Sequence, residues 1–415
     1  MISGEPGMRW QVGVVFTAFA LNYFLSALLR AVIATLAPEF ARELHLGAGE
    51  LGLLAGAYFL GFACMQLPAG WLLDRYGARQ VLLALLVLAV AGCVGFALAR
   101  NFGQLVLARL LIGMGVAASL MAPLAAFVRL FDRPLQLRLN SWMLMSGSVG
   151  MVASTLPVQA LLPVLGWRHL FLALAAALVA AAVLIALIVP HDRAPATAAP
   201  RAVGGYAVIV RHPVFIRSWP LACFTYGGLI AVQSLWAGPW LTLVVGTDAV
   251  GAAQGLFLIN LSMLGSFLAW GLVMPRLVAR GIGPESLISR GWPLGALVML
   301  VVVLIGQAAG SPWLALWCVC TSVVTLCQPV VAQAFPKAEA GRALSAFNLL
   351  IFVGVFASQW GMGLVIDALV AAGWSAAQSH RAAMALLLLG MTAAGAWYWV
   401  HPWLEGRRRI AAARG

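Results

Sequence analysis

The stretch "GWLLDRYGARQ", residues 70–80, gathers Asp74, Arg75 and Arg79 around two glycines, Gly70 and Gly77. Long apolar runs flank it on both sides. Charged residues make up only 9% of the chain, so three of them within six positions need a reason. A short polar turn between two hydrophobic helices is what a chain needs where it reverses at a bilayer surface. The fold follows from asking how often that arrangement recurs.

Of the 415 residues, 63% are hydrophobic. Soluble domains are about half apolar and a quarter charged, so this is the composition of an integral membrane protein. The formal net charge is +13, and 24 of the 25 basic residues are arginines. They are scattered between apolar spans rather than gathered on one face, which argues against nucleic acid as a partner. Cys64, Cys93, Cys223, Cys318, Cys320 and Cys327 all fall in apolar runs without a CxxC pair. They are expected to act as small hydrophobes, not as redox or metal groups. The first apolar run is too long for a signal-peptide core and has no clear cleavage site, so it is expected to remain as a span.

A bilayer core of about 30 Å needs about 20 apolar residues per helix. Runs of that length occur at 10–37, 50–73, 81–98, 104–129, 141–165, 169–190, 218–243, 252–275, 291–309, 312–334, 343–368 and 381–404. Each is expected to be a helix, because a lipid-exposed backbone must bond within its own segment. Pro68, Pro123, Pro157, Pro239 and Pro329 lie inside these runs and mark expected kinks. With the N-terminus inside, nineteen basic residues fall on the cytoplasmic side. Four (Arg42, Arg100, Arg168 and Arg381) fall outside, and Arg30 and Arg109 lie within the membrane. The bias predicts cytoplasmic termini.

The longest connector, 191–217, contains "HDRAPATAAPRAVGG" and is expected to link two six-helix halves, 1–190 and 218–415. The following "YAVIVRHPVFIRSW" is expected at the membrane interface. The halves look related: "GLVMPRLVARG", residues 271–281, repeats Gly70, Arg75 and Arg79 as Gly271, Arg276 and Arg280. Pro275 replaces Asp74, and Val278 replaces Gly77. Such worn parallel repeats are a transporter signature.

Residues 70–80 resemble the "GxxxDRxGRR" loop of the major facilitator superfamily, departing at Ala78. The resemblance extends to "RLLIGMG" (109–115) and "GWRHLF" (166–171), and with the spans, linker and repeat it covers essentially the whole chain. It implies an all-α integral membrane fold of twelve helices in two pseudo-symmetric six-helix bundles. It further implies that Gly70, Asp74, Arg75, Gly77 and Arg79 form a conformational latch tying the halves together. An aspartate beside a helix N-terminus, here that of the eleventh span near Gly341, gains roughly 0.3–1 kcal/mol from unpaired N–H groups and the dipole. The plainer alternative is a positive-inside anchor on a tight glycine turn.

At 1.5 Å per residue, Arg30 and Arg109 lie roughly 7–11 Å below the outer boundary. Each costs about 2.5–3.5 kcal/mol near a helix centre, somewhat less near an interface. All twelve acids lie in loops or at span edges, so no mid-membrane carboxylate offsets them. Two arginines lining the central cavity of the resembled fold would suit a carboxylate or phosphate, which guanidinium binds in bidentate fashion. Arg109 also has the alternatives of coupling, packing, or pairing with Glu50. Without a central acid, a coupling proton would travel on the substrate, or through Arg109 with Glu50 or Asp367; uniport and anion exchange stay open.

Further candidates for substrate contact are Asn22, Tyr58, Tyr226, Gln233, Trp236, Asn260, Gln328, Asn348 and Gln359, each of which packing would also explain. Gln233 and Trp236 lead, being three apart and so expected on one helical face. The expected function is secondary transport of a small anionic organic solute across a bacterial inner membrane. The expected protein is a monomer with no cofactor, with protons as a candidate co-substrate. A drug or metabolite exporter is the main alternative, although 146–159, "SGSVGMVASTLPVQ", lacks the Gly-Pro pair of "GxxxGPxxGG". A copper importer would use Met143, Met145 and Met151, yet every histidine lies in a loop or at a span end. A membrane enzyme finds no HExxH, GxSxG or paired intramembrane acids, and a non-transporting membrane protein is the last alternative.

Overall fold

The computed structural model describes residues 6–190 and 206–412, and in them every regular element is a helix. The chain begins with α1 (Pro6–Leu44), α2 (Ala48–Cys64), α3 (Gln66–Tyr76) and α4 (Ala78–Leu98). It continues through α5 (Phe102–Gly115), α6 (Met121–Leu130), α7 (Arg133–Ala153) and α8 (Leu156–Ile188). After residues 191–205, which lie outside the described residues and hold most of the expected linker, come α9 (Tyr206–Val210) and α10 (Pro213–Pro220). The end of the linker and the "YAVIVRHPVFIRSW" stretch therefore form two short helices with a turn at Arg211 and His212. α11 (Gly227–Ala231) and α12 (Ala237–Pro239) alternate with π-helical turns: Leu221–Tyr226 before α11, Val232–Trp236 between them and Trp240–Val245 after α12. The remainder is α13 (Ala249–Ala279), α14 (Pro284–Ile305), α15 (Ser311–Thr321), α16 (Cys327–Gln333), α17 (Lys337–Ala371) and α18 (Ala376–Ala412).

Among the described residues nine helices are long and apolar enough to cross a membrane, ten if α2 and α3 count as one bent span. Twelve were expected, and proline chemistry accounts for much of the difference. A proline removes one hydrogen bond and clashes with the carbonyl four residues earlier. For Pro68 that residue is Cys64, where α2 ends and the axis bends by 42°. For Pro157 it is Ala153, where α7 ends, and for Pro123 it is Ser119, inside the 116–120 turn that splits the expected fourth span. For Pro239 it is Leu235 in a π-helical turn, and for Pro329 it is Thr325 in the 3₁₀ turn Ser322–Leu326, but here the spans Pro213–Val245 and Ser311–Gln333 continue through the distortion. The fifth expected span begins within α7, which is 21 residues long but too polar to count as a span, because it starts with Arg133, Gln136, Arg138 and Asn140. Its apolar continuation merges into α8, with only Gly166 (φ 64°) marking the kink before the sixth.

The opening stretch is mostly helix rather than loop. Gly70, Asp74 and Arg75 lie on α3, Arg79 lies on α4, and Gly77 alone separates the two helices. Its φ of 80° is in the region that favours glycine, so one residue suffices to turn the chain.

The molecule divides into two compact units, residues 1–36 with 57–198 and residues 37–56 with 199–415. In both, the interior is mainly apolar with some buried polar groups such as Asn22 and Gln233, and large apolar side chains are also exposed, for example Leu98 and Leu187 in the first unit and Leu272 and Leu389 in the second. The span Pro213–Val245 is the most enclosed in the second unit: 83% of its most apolar stretch is buried, against 28% for α13.

Candidate functional site

In the first unit the site begins with a missing side chain. A Cβ at Gly113 would lie 1.9 Å from the Tyr58 carbonyl oxygen, so only glycine lets α5 approach the α2 backbone this closely. Arg109, one turn earlier, therefore covers the Tyr58 ring, 5.0 Å from its centroid. Its Nη1 donates to the Leu29 carbonyl at 3.0 Å, and the side chain is fully buried. Nε and Nη2 have no hydrogen-bond partner among the described residues.

Leu29 is the residue before Arg30, and Arg30 closes a ladder. Its guanidinium lies 5.7 Å from the Phe62 centroid, and the Phe62 and Tyr58 rings stack at 6.1 Å. Arg30 also interacts with the Tyr23 hydroxyl and is only half-buried. A desolvated cation–π contact is worth about 2 kcal/mol, and a hydrogen bond from a charged group about 1.5–3 kcal/mol. Together these offset the cost of burying Arg109. Arg30 instead keeps part of its surface open.

Asn22 and Ser26 precede Arg30 at intervals of four, so all three share one face of α1. Asn22 is fully buried, and neither of its side-chain polar atoms has a partner among the described residues. The Tyr58 hydroxyl donates to the Ser26 carbonyl at 3.2 Å. The "SGSVG" stretch packs behind this face. Cβ atoms at Gly147 and Gly150 would fall 2.3 Å from the Tyr23 ring and 2.2 Å from the Phe24 carbonyl oxygen. Of the three candidate methionines, Met143 is buried and Met145 is 40% exposed. No three His, Cys, Asp or Glu side chains come together among the described residues.

The second unit holds its amides in pairs. Gln233 donates from Nε2 to Asn260 Oδ1 at 2.8 Å, and Gln359 from Nε2 to Ser234 Oγ at 2.9 Å. Gln328 donates from Nε2 to Asn348 Oδ1 at 2.7 Å. Gln233 and Trp236 do not share a face: Gln233 reaches α13, while Trp236 packs edge-on to His380 of α18, ring centroids 5.9 Å apart. The wider π-helical turn is the reason, since a spacing of three matches an α-turn only. Tyr226 is half-buried on the preceding π-helical turn.

Phe62, Tyr23, Ser26, Ser234 and His380 were not singled out from the sequence. Phe62 and Ser26 had a signal, each lying four residues from a candidate, Tyr58 and Asn22. His380 had none, since it looks like a span-end residue and yet is only 6% exposed. Glu50, a proposed partner of Arg109, instead accepts from the Gly47 N–H.

At 70–80, Arg79 donates from Nη2 to the Ala186 carbonyl. Arg75 is exposed and lies over Trp71 and Tyr76, 5.4 and 5.6 Å from their centroids. Asp74 is exposed, with no hydrogen bond or ion pair among the described residues.

A family model described as Major Facilitator Superfamily matches residues 19–359. Over 164 residues the chain is 27% identical to the "Putative multidrug resistance protein MdtD" of Salmonella paratyphi B. The protein of that name from Klebsiella pneumoniae (strain 342) is also 27% identical, over 165 residues. In both cases the match covers 40% of this chain and 34% of the relative, so the chain spans about a third of the curated relatives' length. Among solved structures, a bacterial homologue of the human lysosomal transporter Spinster, inward-facing and unoccupied, superposes with a TM-score of 0.73 at 17% identity. That match covers 96% of this chain and 98% of the other. The D-xylose–proton symporter gives 0.71 at 17% identity over 92% and 97%, and the POT-family transporter PepTSo gives 0.74 at 13% over 95% and 98%. These likenesses establish the fold.

Proposed function

The chain belongs to the major facilitator superfamily and is a multi-pass membrane transporter rather than an enzyme; on that premise we propose that it carries a small organic anion by alternating access. The observation that carries this reading is Arg30. Arg109 is offset by a carbonyl and a ring, whereas Arg30 keeps open surface beside Phe62 and the Tyr23 hydroxyl. A half-buried guanidinium in an apolar wall is a strong, geometry-selective site for a carboxylate or phosphate. Asn22, with its unpartnered amide on the same face, is the neutral contact in this scheme. In the second unit the amides of Gln233, Asn260, Asn348 and Gln359, and the indole of Trp236, serve as weaker contacts.

The proposal places twelve spans in a bacterial inner membrane with both termini cytoplasmic, supported by the arginine bias and by relatives from Salmonella and Klebsiella. The protein acts as a monomer, with its six-helix halves rocking about a bound solute. The 70–80 segment is the latch: Asp74 is exposed, while Arg79 and Gly77 fix the turn from which it projects. Any coupled proton travels with the anion or through an edge acid. Efflux of drugs is the second reading, favoured by the name of the MdtD relatives.

The test is uptake into proteoliposomes loaded with unlabelled organic acids, using labelled mono- and dicarboxylates as probes. Exchange that Arg30→Gln abolishes supports anion transport. Extrusion of lipophilic cations that Arg30→Gln leaves intact overturns it in favour of efflux.

A further inference from the structure

Residues 37–56 cluster with the second unit, although the rest of α1 and α2 clusters with the first. The chemistry that holds them there is specific. Asp367, near the C-terminal end of α17, accepts the Ala48 N–H on Oδ1 at 2.9 Å and the Gly49 N–H on Oδ2 at 2.8 Å. These are two of the N–H groups that the first turn of α2 cannot bond internally, and the helix dipole favours a negative charge there. Glu50 closes the same turn from within by accepting the Gly47 N–H at 3.0 Å.

A glycine seam continues the contact. Cβ atoms at Gly49, Gly52 and Gly56 would lie 2.7 Å from Asp367 Oδ2, 2.3 Å from the Gln359 carbonyl oxygen and 2.9 Å from the Phe356 ring. From the other side, a Cβ at Gly363 would lie 2.3 Å from the Ala48 carbonyl oxygen. Backbone lies on backbone over two turns, and a carboxylate locks the end.

We infer that Asp367 is a gating residue: its carboxylate fastens the first turn of α2 to α17, and releasing it frees the end of α2 remote from residues 70–80. The inference goes beyond the anion reading and does not depend on which solute is carried. It assigns to this end the chemistry proposed for Asp74 at the other, an aspartate facing a helix N-terminus.

The test is hydrogen–deuterium exchange of the full-length protein in lipid nanodiscs, comparing wild type, Asp367→Ala, Asp367→Glu and Gly52→Ala. Losing hydrogen bonds to a charged group predicts about tenfold or faster exchange in peptides covering 47–56 for Asp367→Ala. Peptides from α4 and the thermal midpoint should stay unchanged. Gly52→Ala, which opens the seam sterically, should produce the same local rise, and Asp367→Glu should restore part of the protection. Unchanged exchange at 47–56 in both Asp367→Ala and Gly52→Ala overturns the inference. So does, in Asp367→Ala, an equal rise in α4 with a lowered midpoint, which marks a merely structural role.

Discussion

The two units keep polar groups inside a membrane protein in different ways. In the first, two arginines lean on a pair of stacked rings, Phe62 and Tyr58, and the nearby Asn22 has no hydrogen-bond partner among the described residues. In the second, amides meet amides or a hydroxyl: Gln233 with Asn260, Gln328 with Asn348, Gln359 with Ser234. An amide that has found its complement has less left to offer a ligand, although Gln359 keeps Oε1 without a partner among the described residues. Arg109, held by a ring and a carbonyl, still has Nε and Nη2 without a partner among the described residues, and Arg30 is only half-buried. Binding energy should therefore be concentrated in the first unit, with the second supplying shape.

The largest expected effect comes from breaking the first unit's packing. Gly113→Ala places a methyl group against the Tyr58 carbonyl, and overpacking of this kind costs about 1–3 kcal/mol. Folded yield and thermal midpoint should both fall. Gly361→Ala in the second unit, where a Cβ meets nothing within 4 Å, should leave both unchanged.

Arg30→Gln comes next. It should weaken anion binding roughly 10–100-fold, as expected for lost hydrogen bonds to a charged group, at an unchanged thermal midpoint. Isothermal titration beside a melting curve separates the two quantities. Arg109→Gln should do something of both, lowering the midpoint and weakening binding several-fold, because it supports Tyr58 and the carbonyl before Arg30. If Arg109→Gln abolished binding and left the melt untouched, the roles of the two arginines would be reversed.

The smallest effect should come from Gln233→Leu combined with Asn260→Leu. Interhelical hydrogen bonds in membranes average about 0.6 kcal/mol, so binding should change by less than about threefold. A loss as large as that of Arg30→Gln would erase the contrast between the units.

Much of this was legible in the sequence, and the reasons are physical. Apolar run lengths pointed to an all-helical membrane fold because the bilayer fixes them, although nine or ten of the twelve expected spans qualify among the described residues, and Arg30 and Arg109 stood out because charge inside lipid is costly. Five prolines marked breaks, yet the sequence could not say that Pro239 would yield a π-helical turn, and so it set Gln233 and Trp236 on one face. The Asp367 contact was also illegible. Asp367 looks like an ordinary span-end acid, and its partners, two backbone N–H groups 318 and 319 positions away, carry no side-chain signal. The 70–80 stretch announced itself through its charges, whereas the seam along α2 is written in glycines and backbone.

The most direct test of the central claim is a thermal-stabilisation screen of the purified protein against organic acids, phosphorylated metabolites, neutral sugars and lipophilic cations, run in parallel on Arg30→Gln and Arg109→Gln. Stabilisation by an anion, lost in Arg30→Gln and weakened in Arg109→Gln, is the predicted result. Stabilisation by lipophilic cations or neutral compounds that both variants retain would contradict it.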